Sequence, residues 1–161
     1  MSKRFDPNLP GLIVGDCALA ITERPAVGLA NLVVNGAKPF DIRISWDLAG
    51  PLVPLWLTAL SVKTDHWVVT AYVESQGPGP ELTLAHKDVP IGGEFTDPMH
   101  YQTTITVPAG TLPEENPGDP SVSGLYKIIV TVFLDSAITT ANCGDMMGYA
   151  EGPIIKVENP R

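Results

Sequence analysis

Histidine and aspartate lie close together at two places in the chain, and such pairs could act as a general acid and base or hold a metal ion. His66 follows Asp65 directly, and His100 comes three residues after Asp97. A metal centre or a catalytic constellation needs further groups at matched spacing, and neither pair has them. We therefore predict that both pairs are ends of solvated loops and that the chain has no metal site.

The connection over residues 108–120 carries three acidic side chains, Glu114, Glu115 and Asp119, and carboxylate oxygens are the ligands that calcium prefers. The three lack the ordered D-x-D spacing of a calcium loop, so we predict a charged, solvent-exposed connection. No G-x-S-x-G motif occurs, and the serines near glycine and proline are of the kind that make turns. We predict no catalytic residue and no cofactor, and we expect that the protein is not an enzyme.

The chain has two cysteines, Cys17 and Cys143, near its opposite ends. No histidine accompanies them at the spacing of a zinc site. In a reducing compartment both would be free thiols. The first and last strands of β-sandwiches often lie close together, however, so a bridge between the two cysteines stays open as the alternative.

Residues 49–60, AGPLVPLWLTAL, are apolar although Pro51 and Pro54 interrupt them, and we expect that the two prolines prevent a regular strand or helix there. Such a segment either caps the core or forms a contact surface. Trp56 is the tryptophan that we expect to be partly exposed, because Trp46 and Trp67 fall on apolar strand faces. With the methionines of the loop at 137–148, the predicted interface comprises Leu52, Leu55, Trp56, Leu57, Cys143, Met146 and Met147.

An alternative use of the same aromatic residues is carbohydrate binding, since exposed aromatic faces stack on sugar rings. In that case Trp56, Tyr101 or Tyr149 would be the stacking residues, on loops at one pole of the domain. A change in tryptophan fluorescence on addition of a glycan would separate this hypothesis from a protein interface.

The strands that must position these residues are centred on the run from Leu125 to Leu134, where only Lys127 and Thr131 are polar. This run predicts a central strand that is buried on both faces. Residues 40–48 alternate between apolar and polar side chains, which predicts a strand with one buried face. Residues 67–74 predict another strand, with Trp67, Val69, Ala71 and Val73 on one face. We expect an N-terminal arm over residues 1–10 and a single all-β domain over residues 11–161.

Gly124, Leu125 and Tyr126 form a G-x-Y sequence that resembles the start of the penultimate strand in immunoglobulin-like and fibronectin-like β-sandwiches. In those domains the tyrosine hydroxyl binds the backbone of the preceding corner, and Trp67 would occupy the strand of the core tryptophan. Ile128 stands where immunoglobulin domains have a cysteine. The resemblance implies a Greek-key immunoglobulin-like sandwich of about 7–9 antiparallel strands, and it implies no activity.

The formal net charge is −8 at pH 7, and a surface of that sign repels nucleic acid and anionic membranes. The N-terminal residues reach Asp6 and Pro7 before any apolar run, which argues against a secretory signal and favours a cytoplasmic protein or one assembled from the cytoplasm. The sequence favours a non-enzymatic structural or protein-interaction module. We expect it to bind itself or to dock on a larger assembly, for example as a bacterial or viral accessory or decorating protein.

Overall fold

The computed structural model describes residues 4–24, 31–137 and 144–160. Within these residues the chain forms nine strands and one helix, in an order that places the helix between the fourth and fifth strands. The elements are β1 (Phe5–Asp6), β2 (Val14–Glu23), β3 (Val33–Val34), β4 (Phe40–Ala49), α1 (Val53–Leu60), β5 (His66–Ser75), β6 (Leu82–Pro90), β7 (Met99–Val107), β8 (Leu125–Leu134) and β9 (Met146–Val157).

The strands form two sheets, and the predicted all-β fold class is confirmed. The larger sheet has the order β1-β9-β8-β5-β6, and β3 adds to it by pairing parallel with β9. The smaller sheet has the order β2-β4-β7. Every pairing within these two orders is antiparallel. No helix within residues 4–24, 31–137 and 144–160 has the length and apolar character that crossing a bilayer requires.

The face predicted to be buried is confirmed residue by residue on β4, and on β5 the face of Trp67, Val69, Ala71 and Val73 is the buried one. The apolar side chains of β4 from Phe40 to Leu48 are buried at every second position, and on β5 the buried series runs from Trp67 to Val73. Because side chains of a strand alternate between its faces, each strand has one face in the core and one toward solvent. The core therefore lies between the two sheets.

The predicted burial of both faces of β8 is wrong. β8 does lie within the larger sheet, between β9 and β5, but its side chains alternate between buried and partly exposed from Leu125 to Leu134. Ile129 is half-buried and Phe133 is exposed on the outer face. The structure has no third layer over this face among the described residues, so an apolar sequence did not mean a two-sided core.

Three aromatic rings fill the centre of the sandwich. Trp46 of β4 stacks on Tyr101 of β7 with ring centroids 5.4 Å apart, and Trp67 of β5 meets Trp46 edge-on at 5.7 Å. Both tryptophans have no exposed surface. Since edge-to-face and offset pairs add to the burial of each ring, this cluster links the two sheets at their middle.

Tyr126, at the start of β8, fixes the connection that precedes the strand. Its ring is buried, and its hydroxyl donates a hydrogen bond to the carbonyl oxygen of Pro113 at 2.8 Å. Gly124 has a φ of 68°, and a Cβ at this position would meet the backbone nitrogen of Glu115 at 2.6 Å. Glycine is thus required here both by the backbone conformation and by the close approach of the connection.

The predicted N-terminal arm over residues 1–10 lies on the sandwich in its described part. β1 pairs with β9, with Phe5 opposite Gly148. The Phe5 side chain is buried and meets Trp67 edge-on, with ring centroids 6.4 Å apart. The glycines at 15 and 148 provide the space for this ring, since a Cβ at either position would overlap it.

Candidate interaction surface

The prediction that residues 49–60 cannot form a regular helix is wrong, because residues 53–60 form α1. Pro54 stands in the first turn, where the backbone nitrogen needs no helical partner and the fixed φ of proline suits the helix. Val53, Leu57 and Leu60 turn toward the core and are buried. The eight residues include no charged side chain. On the side that faces away from the core the polar side chain is Thr58, whose hydroxyl donates to the carbonyl oxygen of Pro54, and the rest of that side is apolar.

Three of the residues that were predicted to form the interface, Leu52, Leu55 and Trp56, lie at the outward side of α1. Leu55 is 68% exposed, while Leu52 and Trp56 are half-buried. These side chains border an apolar cleft of about 260 Å³. Its lining consists of Leu52, Leu55, Trp56, Ala59, Leu60 and Gly144. We call this outward side, with its cleft, the α1 surface.

Trp56 is held in place within the α1 surface by a hydrogen bond. Its indole Nε1–H donates to the carbonyl oxygen of Gly144 at 3.3 Å. This contact connects the helix to the connection that leads into β9. Because the polar atom of the indole is already bound, Trp56 offers mainly its apolar ring to a partner.

Two of the predicted interface residues belong to the core. Leu57 and Met146 have no exposed surface, the former because it lies on the core side of α1 and the latter because it faces inward at the start of β9. Met147, the next residue, faces outward and is 43% exposed. Cys143 lies outside the described residues.

Met147 is part of a second apolar region, on the outer face of the larger sheet. The cross-strand register places it beside Phe133 of β8, and Phe133 in turn lies beside Val68 of β5. Tyr72 is on the same face of β5 as Val68, is 40% exposed, and lies beside Ile129 of β8. This region was not among the sequence predictions. Its sequence signal is partial, because Leu125, Ile129 and Phe133 are apolar at outward positions of β8 while Lys127 and Thr131 between them are polar.

The two histidine–aspartate pairs behave differently in the structure. His66 does contact Asp65, and this hydrogen bond raises the pKa of the imidazole and lowers that of the carboxyl group. His100 contacts Asp47, the residue opposite it in the sheet, and not Asp97, its neighbour in sequence. Among residues 4–24, 31–137 and 144–160, no three histidine, cysteine or acidic side chains are grouped as metal ligands.

Asp97 has a structural partner of its own, because it accepts a hydrogen bond from the backbone N–H of Gly50 at 2.7 Å. It therefore joins the loop before β7 to the end of β4. The pair proposed from sequence fails because β7 begins between Asp97 and His100, and the sheet then directs His100 toward its cross-strand neighbour.

The three acidic residues of the 108–120 connection each have a separate partner. Glu114 accepts a hydrogen bond from Nδ2 of Asn159 at 2.8 Å, and Glu115 lies 3.9 Å from Nζ of Lys156. Asp119 accepts a bond from Ser121, which lowers the pKa of its carboxyl group. Because each carboxylate has a different partner, the three do not form one set of calcium ligands.

Tyr101, a predicted sugar-stacking residue, is unavailable for that role. It is buried, and its hydroxyl donates to the carbonyl oxygen of Ile91 at 2.8 Å. Tyr149 is half-buried on β9, in register with Thr131 of β8. The three predicted stacking residues thus do not form one platform at a pole of the sandwich.

Cys17 is buried on β2 and carries a free thiol. Burial raises the pKa of this thiol to about 12, and the neighbouring carboxylate of Asp16 acts in the same direction. A thiol with such a pKa is protonated at neutral pH and is a poor nucleophile.

Comparison with known proteins adds little to this description. No protein-family model matches the chain, and no curated protein matches it. Among solved structures, the chain is similar to part of a β-glucosidase from Listeria innocua in complex with isofagomine, with a TM-score of 0.45 and 10% sequence identity. That alignment covers 89% of this chain and 16% of the other chain, and a likeness of this size carries no argument about activity.

Proposed function

We propose that the protein is a non-enzymatic interaction module that associates with a second copy of itself through the α1 surface. The observation that carries the proposal is the apolar outward side of α1. A helix at a protein surface normally has polar residues facing water, whereas a helix that is apolar all round is normally covered. α1 combines a buried side with an exposed Leu55 and an apolar cleft, which is the composition of a contact surface.

The shape and charge of the α1 surface favour a second copy as the partner. A two-fold interface needs a surface that is complementary to itself. The α1 surface has both a projecting side chain, Leu55, and an apolar cleft beside it, and Val62 just beyond the helix end is a further exposed apolar side chain. Residues 48–62 carry no charge, so two acidic molecules can approach here with little repulsion.

We further infer an immunoglobulin-like sandwich that serves as the scaffold of this surface. The order β9-β8-β5-β6 matches strands G, F, C and C′ of such domains, and β2-β4-β7 corresponds to part of the opposite sheet. The bond from Tyr126 to Pro113 supports the inference, as does the position of Trp67 within the core on β5. The apolar character of the α1 surface is the same whether or not the sandwich is of the immunoglobulin type.

We also propose a compartment and a class of partner, from the thiol of Cys17 and the net charge. The free thiol of Cys17 fits a reducing compartment such as the cytoplasm. The net charge of −8 disfavours nucleic acid and anionic membrane surfaces as partners. Docking on a larger assembly would use the same α1 surface that a second copy covers.

The test compares Leu55→Lys with Leu32→Lys by light scattering at several protein concentrations. Leu32 is a matched control, since it is also an exposed leucine, at 57%. It lies beside the C-terminal end of β9, where the backbone N–H of Lys156 donates to the carbonyl oxygen of Leu32. In a two-fold dimer one Leu55 from each copy is buried. Its replacement therefore removes about 3 kcal/mol of the free energy of dimerisation and weakens dimerisation about a hundredfold.

We expect Leu55→Lys to be monomeric at concentrations where the wild type and Leu32→Lys are dimeric. Circular dichroism and the thermal transition establish that each variant is folded. A folded Leu55→Lys that dimerises as strongly as the wild type would contradict the proposed interface.

A further inference from the structure

The outer face of the smaller sheet contains a trough that is separate from the α1 surface. Its volume is about 760 Å³, within the range of pockets that take small molecules. The trough crosses the middle of β2, β4 and β7, and one residue of β6 stands at its margin. Its outward side chains come from Ala18, Ala20, Arg43, Ser45, Gln102, Thr104 and Lys87.

The cross-strand register explains why this part of the sheet is concave. Arg43 of β4 lies between Ala20 of β2 and Thr104 of β7. Ser45 lies in the same way between Ala18 and Gln102. Because neighbours on one face of a sheet are only about 5 Å apart, the small side chains beside Arg43 leave open space around its guanidinium.

Arg43 differs from the other charged residues of β4 because it has no hydrogen bond or close ion pair among the described residues, although the carboxylate of Asp41 interacts with it electrostatically. Asp41 accepts a hydrogen bond from Nε of Arg24 at 2.8 Å, and Asp47 contacts His100. Arg43 has neither an ion pair nor a side-chain hydrogen bond with any residue in the described part of the chain. The sheet therefore presents a guanidinium whose donors are free to bind a ligand.

A second cation stands at the margin of the trough. Lys87 of β6 donates from Nζ to the backbone carbonyl oxygen of Thr104 at 3.2 Å, which holds the ammonium group beside β7. No acidic side chain lines the trough, although the whole chain has a net charge of −8. The nearby carboxylate of Asp41 also acts on Arg43, but it is already paired with Arg24. Two cations without an acid in the lining therefore favour an anion at this site on an acidic protein.

We propose that the trough binds a small ligand through an oxyanion group, a carboxylate or a phosphate, that pairs with Arg43. The planar guanidinium can donate two parallel hydrogen bonds to either group, and Lys87 supplies a second positive charge. The side chains of Ser45, Gln102 and Thr104 supply hydrogen bonds for the polar body of the ligand. This site is independent of the α1 surface and goes beyond the proposed interaction function.

The experiment is a titration of the ¹⁵N-labelled full chain by NMR with sodium glucuronate, inorganic phosphate and, as an uncharged comparison, glucose. We expect amide shifts concentrated at Ala18, Ala20, Gln102 and Thr104 with an anion and not with glucose. A larger affinity for glucuronate would identify a carboxylate ligand, and a larger affinity for phosphate a phosphoryl ligand. Both results support the site.

Three variants make the result decisive. Arg43→Gln should weaken anion binding about tenfold or more, and Lys87→Gln should weaken it by a smaller factor, since only Arg43 stands at the centre. Lys38→Gln, which changes an exposed cation in the turn before β4, should leave the affinity unchanged. The site is refuted if neither anion shifts these amides, if glucose shifts them equally, or if folded Arg43→Gln binds as the wild type does.

Discussion

Replacement of Phe5 by alanine tests whether the N-terminal segment belongs to the core. The Phe5 ring is 3% exposed and lies against Gly15 of the smaller sheet and Gly148 of the larger sheet. It also meets Trp67 edge-on. One terminal residue thus covers part of the central aromatic cluster and contacts both sheets.

The expected cost follows from the burial of the ring. A Phe→Ala change in a core lowers the free energy of unfolding by about 3–5 kcal/mol, through lost burial and the cavity that remains. β1 has only two residues, so the segment can detach and let water reach the site, which limits the loss to about 3 kcal/mol. For a chain of this size that corresponds to a melting temperature about 6–12 °C lower.

Urea unfolding followed by tryptophan fluorescence measures this loss, and Leu12→Ala is the control. Leu12 is close to Phe5 in sequence but 50% exposed, so its replacement should change the free energy of unfolding by less than about 1 kcal/mol. Equal effects of the two substitutions would refute the reasoning and make the segment an accessory arm.

Three further predictions concern single side chains. Tyr126→Phe removes the hydrogen bond to Pro113 and should lower the free energy of unfolding by about 1 kcal/mol in urea titrations. Cys17 should resist alkylation by iodoacetamide in the native state and react after unfolding, as peptide mass spectrometry would show, because burial raises the pKa of its thiol to about 12. NMR titration of His66 should give a pKa above 6.5, because its imidazole binds the Asp65 carboxylate, and Asp65→Asn should lower that pKa. Since the folded-state pKa of His66 is higher than its unfolded pKa, the pair stabilises the fold below the unfolded pKa for as long as Asp65 is ionised. The effect is lost as the pH rises through the folded-state pKa of His66.

Each of the three has a result that contradicts it. An unchanged unfolding midpoint for Tyr126→Phe would mean that the corner does not depend on its hydroxyl. Alkylation of Cys17 in the native protein at the rate of a free peptide would show that the thiol is accessible. A pKa of His66 that does not respond to Asp65→Asn would remove the carboxylate as its cause.

Strands could be predicted from sequence where alternation was regular. β4 alternates between apolar and polar side chains, and this period alone identifies its buried face. β8 shows the limit of the method, since Ile129 and Phe133 are apolar but face outward. A continuous apolar run does not reveal whether a second layer covers the strand.

The sequence does not predict α1 because prolines inside a segment normally interrupt a helix. Pro54 stands in the first turn of α1, and the sequence does not show that a helix begins just before it. Leu55 and Trp56 were nevertheless placed correctly at the surface, whereas Leu57 turned out to be buried. Which of these residues is buried depends on the side of α1 on which each lies, and that side is defined only once the segment is known to be a helix.

The trough around Arg43 could not be predicted from the chain at all. Its neighbours Ala20 and Thr104 come from strands far apart in sequence, and only the pairing of β2, β4 and β7 brings them together. The same reason explains His100, whose partner Asp47 is its cross-strand neighbour. Contacts of this kind depend on register, which a single sequence does not specify.

The central claim is that the protein associates with itself through an apolar surface, and sedimentation equilibrium of the wild type across a hundredfold range of concentration tests it most directly. The chain mass is 17.2 kDa. We expect a mass that rises with concentration toward twice that value, with a reversible monomer–dimer equilibrium. A mass that stays at 17.2 kDa over the whole range would contradict self-association.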